Sequence, residues 1–321
     1  MLLSVVIPTY NESEGIKTFH ETLLIPSLKS LVLDYEIIYV NDGSKDDTLE
    51  KLSAIAKKDS HVRIIDLSRN FGKEIATTAG IHQSKGDAVI LLDADGQHPP
   101  ALIKDFVEKW QGGAQVVVGV RASNQNEGAV KKWGSKLFYR ILNANSDTPM
   151  VPRSTDFRLI DREVCNEFLA FTERNRITRG LIDWLGYSRA YITFDAPARL
   201  AGEASYSVNK LIKLALNSII SLSLKPLFAF GWIGVGIIIL SLLAGLFILV
   251  EQFIMNDPLQ LHFSGAAILS IFIAFLVGII LVSQAVLSVY ISHIYAQTQE
   301  RPLFVINHRR SHKLLESSAK K

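Results

Sequence analysis

Short, mostly apolar runs alternate with amphipathic stretches over the N-terminal two thirds of the chain. Apolar runs of this length are typical of strands that are buried on both faces of a parallel sheet. The pattern predicts strands at residues 3–7, 36–40, 62–67, 88–92 and 116–120. Helices are predicted at residues 14–33, 45–58 and 71–84, and Pro26 is expected to break or kink the first of them. This alternation predicts an α/β fold with a mostly parallel sheet over residues 1–205.

The C-terminal third has a different pattern, with two long runs that carry no charged residue, at residues 227–250 and 263–292. A helix of about 20 apolar residues spans the hydrocarbon core of a bilayer. We therefore expect a hairpin of two transmembrane helices within residues 227–293, at about 227–250 and 264–291. Residues 206–226 mix Leu and Ile with Lys, which is typical of an amphipathic helix lying in the membrane interface.

Charge on either side of these runs predicts the orientation of the hairpin. The connector at residues 251–262 has no Lys or Arg, whereas residues 294–321 form a basic tail. By the positive-inside rule the tail lies in the cytoplasm, and two spans return residues 1–205 to the same side. The expected location is therefore the inner or plasma membrane, with a multi-pass anchor and a cytoplasmic folded domain.

Two carboxylates follow the apolar run at residues 88–92. Asp93 and Asp95 have the i, i+2 spacing that puts both side chains on one face of an extended chain, and Gly96 then turns the chain. Open α/β sheets bind ligands at this end of their strands. Carboxylate oxygens in small number suit Mg²⁺ or Mn²⁺ that carries a diphosphate. The alternative is an acidic loop that caps the helix expected near Pro100.

Composition narrows the function. The net charge of +3 gives no support to nucleic-acid binding, and the one cysteine, Cys165, excludes an internal disulfide and fits a reducing compartment. Asp42 ends the second predicted strand, where a dinucleotide-binding fold holds a ribose hydroxyl. That fold needs G-x-G-x-x-G after the first strand, but the chain there reads Pro-Thr-Tyr-Asn-Glu. The sequence is therefore consistent with a nucleotide ligand but does not support a nicotinamide cofactor.

Four segments now make a family resemblance specific. In order and spacing they resemble glycosyltransferase family 2 and, within it, the polyprenyl-phosphate glycosyltransferases of the dolichol-phosphate mannose synthase and bactoprenol glucosyltransferase types. The segments are Val6-Ile7-Pro8-Thr9-Tyr10-Asn11-Glu12, Val40-Asn41-Asp42-Gly43-Ser44, Asn70-Phe71-Gly72-Lys73 and Leu92-Asp93-Ala94-Asp95-Gly96-Gln97-His98-Pro99-Pro100. The resemblance implies a nucleotide-sugar-binding domain of the GT-A type.

The resemblance also implies roles for individual residues. Asp42 matches the acid that holds the nucleotide base or ribose, and Asp93 and Asp95 match the pair that carries the metal and the diphosphate, with Asp95 counted as catalytic. The implied donor-binding residues are Pro8, Tyr10, Glu12, Asp42, Lys73, Asp93, Ala94, Asp95 and Gln97.

On the acceptor side, Asp156 in Thr155-Asp156-Phe157-Arg158 matches the acid usually assigned as catalytic base. A lipid phosphate is largely a dianion at neutral pH because its second pKa is about 6. Asp156 is therefore either a base or a group that orients the acceptor or the metal. Guanidinium and ammonium groups suit the acceptor phosphate, and the expected contacts are Arg121, Arg158, Arg199, Ser205 and Lys210.

The resemblance implies inverting, metal-dependent transfer of a sugar from a nucleotide sugar to an undecaprenyl or dolichyl phosphate at the cytoplasmic face, for cell-envelope glycan or lipid modification. A UDP-sugar is the first expectation for the donor and GDP-mannose the alternative. A processive synthase would carry Gln-x-x-Arg-Trp, which the chain lacks. A non-catalytic membrane scaffold is the rival from another class. Glycines in the first apolar run permit, without requiring, a homo-oligomer through the membrane helices.

Overall fold

The computed structural model describes residues 1–122, 153–174, 176–197 and 265–312, together with Leu243, Leu246 and Val250. Residues 1–211 with 301–321 form one compact unit, and residues 212–300 form a second. The predicted interfacial helix at 206–226 lies outside the described residues, as does almost all of the first predicted span at 227–250.

The first unit is an α/β domain, as the sequence predicts. Its strands are β1 (Leu2–Thr9), β2 (Asp34–Asn41), β3 (Val62–Asp66), β4 (Ala88–Leu91), β5 (Val116–Arg121), β6 (Ser154–Asp161) and β7 (Arg189–Phe194). Its helices are α1 (Ile16–Thr18), α2 (Ile25–Lys29), α3 (Thr48–Lys58), α4 (Lys73–His82), α5 (Ile103–Gln111), α6 (Arg162–Ala170) and α7 (Thr178–Trp184).

One seven-stranded sheet organises the domain, in the order β3-β2-β1-β4-β6-β5-β7. The five predicted strands are β1 to β5, and the pairings among the seven strands are parallel except for those of β6. Strand β6 runs antiparallel to both of its neighbours, β4 and β5. Its first residues therefore lie at the edge of the sheet where β1, β2 and β4 end.

The core lies on both faces of the sheet because neighbouring strand residues point to opposite faces. Val5 and Ile7 of β1 pack in one buried cluster with Phe19, while Val6 packs in the other with Ala79 of α4. All five of these side chains are fully buried. The central strands are thus apolar on both faces, which is why they appear in the sequence as continuous apolar runs.

Pro26 does not end the first helical segment, but the α-helix is interrupted just before it. A π-helical turn, Phe19–Leu24, joins α1 to α2, so Pro26 falls in the first turn of α2. The N–H of Ile25 donates to the carbonyl of His20, a shift by one residue from the α-helical pattern. This change of register lets the chain accommodate a residue that has no N–H to donate.

The edge strand β3 is covered by the end of the chain. Residues after Arg301 return to the first unit, where Ile306 pairs with Leu67 and His312 pairs with Ile64, both antiparallel. Phe304 and Ile306 pack against the core cluster on the α4 face. The sequence indicated only a basic tail in this region.

The second unit contains α8 (Gly265–Thr298), a helix of 34 residues that overlaps the second predicted span. Counting only the residues whose side chains are described, no helix is both long and apolar enough to cross a membrane.

Candidate active site

Lys73 joins two carboxylates at the edge of the sheet where the parallel strands end. Its ammonium lies 2.7 Å from Asp93 Oδ1 and 3.0 Å from Asp156 Oδ2. The strands make this meeting possible, because β4 and β6 pair with Leu91 opposite Arg158. Two residues further along that register, Asp93 and Asp156 come opposite each other. The structure therefore brings together three residues that the sequence assigned separately to donor binding, metal binding and catalysis.

The charges of this cluster set one another's protonation state. Burial disfavours the charged form of Lys73, but the carboxylates of Asp93 and Asp156 outweigh it and raise the pKa of Lys73 above its ordinary value. Burial also opposes ionisation of Asp156, yet Lys73 and Arg179 outweigh it and lower the pKa of Asp156. The Asp156 side chain is consequently a carboxylate at neutral pH and well below it.

Hydrogen bonds within the loop after β4 fix the acidic pair. Asp95 Oδ1 accepts a hydrogen bond from Gln97 N at 3.0 Å, and Gly96 between them has a φ of 78°, which favours glycine. His98 Nδ1 accepts a hydrogen bond from Asp93 N at 3.2 Å. Asp93 and Asp95 are both partly exposed. The loop thus holds the two carboxylates at the rim of the sheet, where a ligand can reach them.

His98 is a site residue that the sequence reasoning missed. Its side chain is 2% exposed, and its ring stacks on Phe157 of β6 with 5.2 Å between centroids. Burial lowers the pKa of His98 more than the nearby carboxylate of Asp93 raises it. The ring is therefore neutral, and Nδ1 can accept the hydrogen bond from the backbone of Asp93. No local pattern marks this role, because Phe157 is distant in the chain.

Asp42 connects the end of β2 to the loop that precedes α4. Its carboxylate accepts hydrogen bonds from Phe71 N at 2.7 Å and from Gly72 N at 2.9 Å, and the residue is 3% exposed. In this arrangement Asp42 braces the loop that positions Lys73. A direct contact with a nucleotide would use the remaining lone pairs of the same two oxygens, so the predicted role in nucleotide binding stays a prediction.

Gly43→Ala should destabilise the protein and disturb this loop. Gly43 has a φ of +64°, and an added Cβ would lie 2.5 Å from the backbone of Arg69, which precedes the loop that Asp42 holds. The left-handed conformation alone costs about 1–2 kcal/mol for a non-glycine residue, and the overlap adds to that cost. We expect a lower melting temperature and weaker nucleotide binding, measured by thermal unfolding and calorimetry.

Gly186→Ala is the matched control for that substitution. Gly186 has a similar φ of +75°, but an added Cβ there would meet nothing within 4 Å. It should therefore show the conformational cost without the overlap, and nucleotide binding should not change. Equal effects of the two substitutions would show that contact with Arg69 has no part in shaping the site.

The described residues fit a divalent metal that arrives with a diphosphate. No group of three or more His, Cys, Asp or Glu side chains that could hold a metal ion occurs among them. Asp93 and Asp95 offer hard carboxylate oxygens at an accessible rim. Mg²⁺ is commonly held by one or two protein carboxylates, with phosphate oxygens and water as the other ligands. The donor set is therefore compatible with an open metal site completed by substrate.

Arg158, one of the predicted acceptor contacts, is engaged by protein groups. Its side chain is completely buried, and Nη1 lies 2.7 Å from Asp183 Oδ1 while Nη2 donates to Asp183 Oδ2 at 3.3 Å. Nε donates to the carbonyl of Thr155 at 3.1 Å. The guanidinium thereby joins β6 to α7, and Arg158 also lines a narrow cavity together with Asp93 and Asp156. The ion pair with Asp183 favours a structural role for Arg158, and the predicted contact with the acceptor phosphate stays a prediction.

The other predicted acceptor contacts have different outcomes. Arg121 Nη2 donates to Gln97 Oε1 at 3.0 Å, which joins this arginine to the acidic loop. Arg199, Ser205 and Lys210 lie outside the described residues. The structure thus places one of the predicted phosphate contacts beside the donor-side residues.

The remaining donor-side candidates lie along the same edge of the sheet. Pro8 lines a narrow cavity together with Asp93. Tyr10, just after β1, is 41% exposed, whereas Ala94 is buried. The backbone N–H of Glu12 donates to Thr48 Oγ1 at 2.9 Å, which fixes the loop after β1 to the start of α3.

Arg179 is a second residue that the sequence reasoning missed. It stands in the first turn of α7 and lines the same narrow cavity as Lys73 and Asp156.

A larger cavity of about 570 Å³ lies between the α1–α2 segment and α3, and it shares no lining residue with the acidic cluster. The chemistry therefore points to the narrow cavity, although it is the smaller one.

Comparison with known proteins assigns this geometry to a family. The sequence profile of glycosyl transferase family 2 matches residues 4–169, which include Asp42, Lys73, Asp93, Asp95 and Asp156. The chain belongs to glycosyl transferase family 2. The resemblance found in the motifs is thereby confirmed, and the matched residues extend from β1 into α6.

Several members of the family are similar to this chain over nearly its whole length. An uncharacterized glycosyltransferase of Synechocystis sp. is 39% identical over 95% of this chain and 94% of its own. The bactoprenol glucosyl transferase of Shigella phage SfX is 34% identical over 97% of this chain and 100% of its own. Among solved structures, glucosyl-3-phosphoglycerate synthase from Mycobacterium tuberculosis with Mn²⁺, UDP and phosphoglyceric acid has a TM-score of 0.49 and 20% identity, and the match covers 69% of this chain and 77% of that chain.

Proposed function

We propose that this glycosyltransferase moves a sugar from a nucleotide sugar, with UDP-glucose the first candidate, to a polyprenyl phosphate with inversion at the sugar carbon. The observation that carries the proposal is the cluster at the edge of the sheet, where Lys73 lies between Asp93 and Asp156. The full-length similarity to relatives named bactoprenol glucosyl transferase supports a lipid phosphate as acceptor.

The residues divide into a leaving-group side and an acceptor side. In the reaction an oxygen of the acceptor phosphate forms a bond to the anomeric carbon, and the bond from that carbon to the diphosphate breaks. The nucleoside diphosphate leaves with the bonding electrons. Asp93 and Asp95 would hold Mg²⁺ or Mn²⁺, which would supply charge stabilisation to the leaving diphosphate.

Asp156 fits an orienting role better than that of a general base. The neighbouring Lys73 keeps its pKa low, so this carboxylate is a weak base at neutral pH. The acceptor phosphate needs no base, because its second pKa is about 6 and it is already largely a dianion. We infer that Asp156 holds Lys73 between the two substrates and thereby orients the groups that react.

The position of the chain's end supports the proposed membrane topology. Residues 301–312 pair with β3, so the segments that precede and follow residues 212–300 belong to one folded unit. If the intervening residues cross a membrane, they cross it an even number of times. A two-helix hairpin, with the catalytic domain and the tail both in the cytoplasm, satisfies this condition and agrees with the charge pattern.

Membranes that contain the protein should transfer one sugar to a short polyprenyl phosphate in the presence of Mn²⁺. The donors to compare are UDP-glucose, UDP-N-acetylglucosamine and GDP-mannose, and the glycolipid product is measured by chromatography. A chelator should abolish transfer, and added Mg²⁺ or Mn²⁺ should restore it, because the diphosphate needs the metal as its counter-charge.

The other outcomes of this assay are equally informative. Transfer from GDP-mannose alone would identify a mannose synthase of the same class. Transfer that persists in the chelator would contradict the metal role of Asp93 and Asp95. No transfer from any of the donors by folded protein would favour a non-catalytic membrane scaffold.

A further inference from the structure

Residues 305–312 form backbone hydrogen bonds along the outer edge of β3. On that edge, Ile64 exchanges backbone hydrogen bonds with His312, at 3.2 Å and 2.9 Å. The carbonyl of Asp66 accepts from Asn307 N at 2.8 Å, and Ser68 N donates to the carbonyl of Val305 at 2.9 Å. An uncovered edge strand would leave these groups to water or to another chain. The segment 301–312, here called the C-terminal strap, thus completes the sheet.

The strap also makes two side-chain contacts with a buried carboxyl residue, Asp66. Ser311 Oγ accepts a hydrogen bond from Asp66 N at 2.9 Å, and Arg310 Nε lies 3.3 Å from Asp66 Oδ2. Asp66 is 1% exposed, whereas the Arg310 side chain is 54% exposed. The arginine therefore reaches from the surface to a carboxylate that the rest of the sheet buries.

Asp66 in turn holds the residue that precedes Asp42. Asp66 Oδ1 accepts a hydrogen bond from Asn41 Nδ2 at 2.6 Å, and Asn41 is fully buried. Asn41 Oδ1 accepts from Ser44 N at 3.4 Å, across the turn that contains Asp42. A continuous set of contacts thus runs from the strap through Asp66 and Asn41 to residues 42–44, here called the Asp42 loop.

We propose that the C-terminal strap is part of the nucleotide-binding apparatus, with Arg310 and Ser311 acting as positioning residues for the Asp42 loop through Asp66 and Asn41. The proposal rests on the proposed function, in which this loop receives the nucleotide. Phe304 and Ile306 supply the apolar anchorage of the strap. Apolar packing and backbone pairing thus hold the strap in addition to the polar contacts of Arg310 and Ser311.

The test uses the full-length protein in detergent and the variants Arg310→Gln, Arg310→Lys and Ser311→Ala. Arg309→Gln is the matched control, because Arg309 is the neighbouring arginine and is exposed. Arg310→Gln should weaken UDP binding and raise the KM for the nucleotide sugar by about fivefold or more. The KM for the lipid phosphate should not change, and Arg310→Lys should recover part of the loss. Arg309→Gln should match the wild type.

Two results would overturn the proposal. The first is unchanged UDP binding in Arg310→Gln and Ser311→Ala. The second is a loss of donor and acceptor affinity in equal measure together with a lower melting temperature, which would show that the strap has only a structural role.

Failure of the proposed function would be visible separately, as wild-type protein that binds neither UDP nor GDP. In that case amide hydrogen exchange at residues 42–44 and 71–72 tests whether the strap is coupled to the loop that contains Asp42. Faster exchange in Arg310→Gln than in Arg309→Gln would support this coupling, and equal rates would overturn it.

Discussion

Replacing Asp95 with Asn should reduce sugar transfer by at least about a thousandfold while the fold stays intact. Loss of one group that stabilises transition-state charge costs about 10²–10³ in rate. Loss of the proposed metal ligand should add to this, because a metal held there would stabilise the leaving diphosphate. The hydrogen bond from Gln97 N to Asp95 Oδ1 can be kept by the Asn oxygen. The loop should therefore keep its shape, and the loss should appear in kcat at saturating donor.

The control is Asp105→Asn, which removes the same charge from an exposed position on α5. It should leave transfer and melting temperature unchanged. Raising the Mn²⁺ concentration should restore Asp95→Asn only in part, because the amide oxygen is a weaker ligand than the carboxylate. An Asp95→Asn enzyme with more than a tenth of wild-type activity would contradict the proposed role of this residue.

The central strands and the acidic pair were predictable because their signals are local. Strands β1, β2 and β4 are buried on both faces, so each contains a continuous apolar run. The acids after β4 then follow from the rule that ligands bind at the carboxyl ends of such strands. What the sequence could not give was the partner of Asp93, because the register between β4 and β6 is a long-range pairing.

Strand β6 escaped prediction for a physical reason. Its sequence places Thr155, Asp156 and Arg158 among the apolar residues, so it shows no continuous apolar run. Arg158 is buried there only because Asp183, from a helix further along the chain, neutralises it. An arginine is normally exposed, and no local pattern distinguishes one that is buried with its counter-ion from one that meets a ligand.

The strap illustrates the same limit at the end of the chain. Its sequence indicated only a basic tail on the cytoplasmic side of a membrane. In the structure Phe304 and Ile306 anchor it to the core, and Arg310 contacts Asp66. These contacts join residues more than two hundred positions apart, so only the folded sheet edge reveals them.

Replacing Arg158 with Met should destabilise the catalytic domain by about 3 kcal/mol, because it leaves Asp183 as a buried charge without its main partner. Arg189 Nη1 remains 3.4 Å from Asp183 Oδ1, so we expect the lower end of the range for a broken buried pair. For a domain of this size the loss corresponds to a fall in melting temperature of roughly 6–12 °C. Thermal unfolding of the full-length protein in detergent measures it.

The double variant Arg158→Met, Asp183→Leu separates a structural ion pair from a phosphate contact. If Arg158 only neutralises Asp183, removing both charges should recover most of the lost stability, since apolar replacements of buried pairs are often neutral. The double variant should then bind the lipid phosphate like the wild type, because the guanidinium of Arg158 is already paired with Asp183. If Arg158 instead bound the acceptor, the single variant would keep its melting temperature and both variants would show a raised KM for the lipid. The burial of this guanidinium against Asp183 favours the first result.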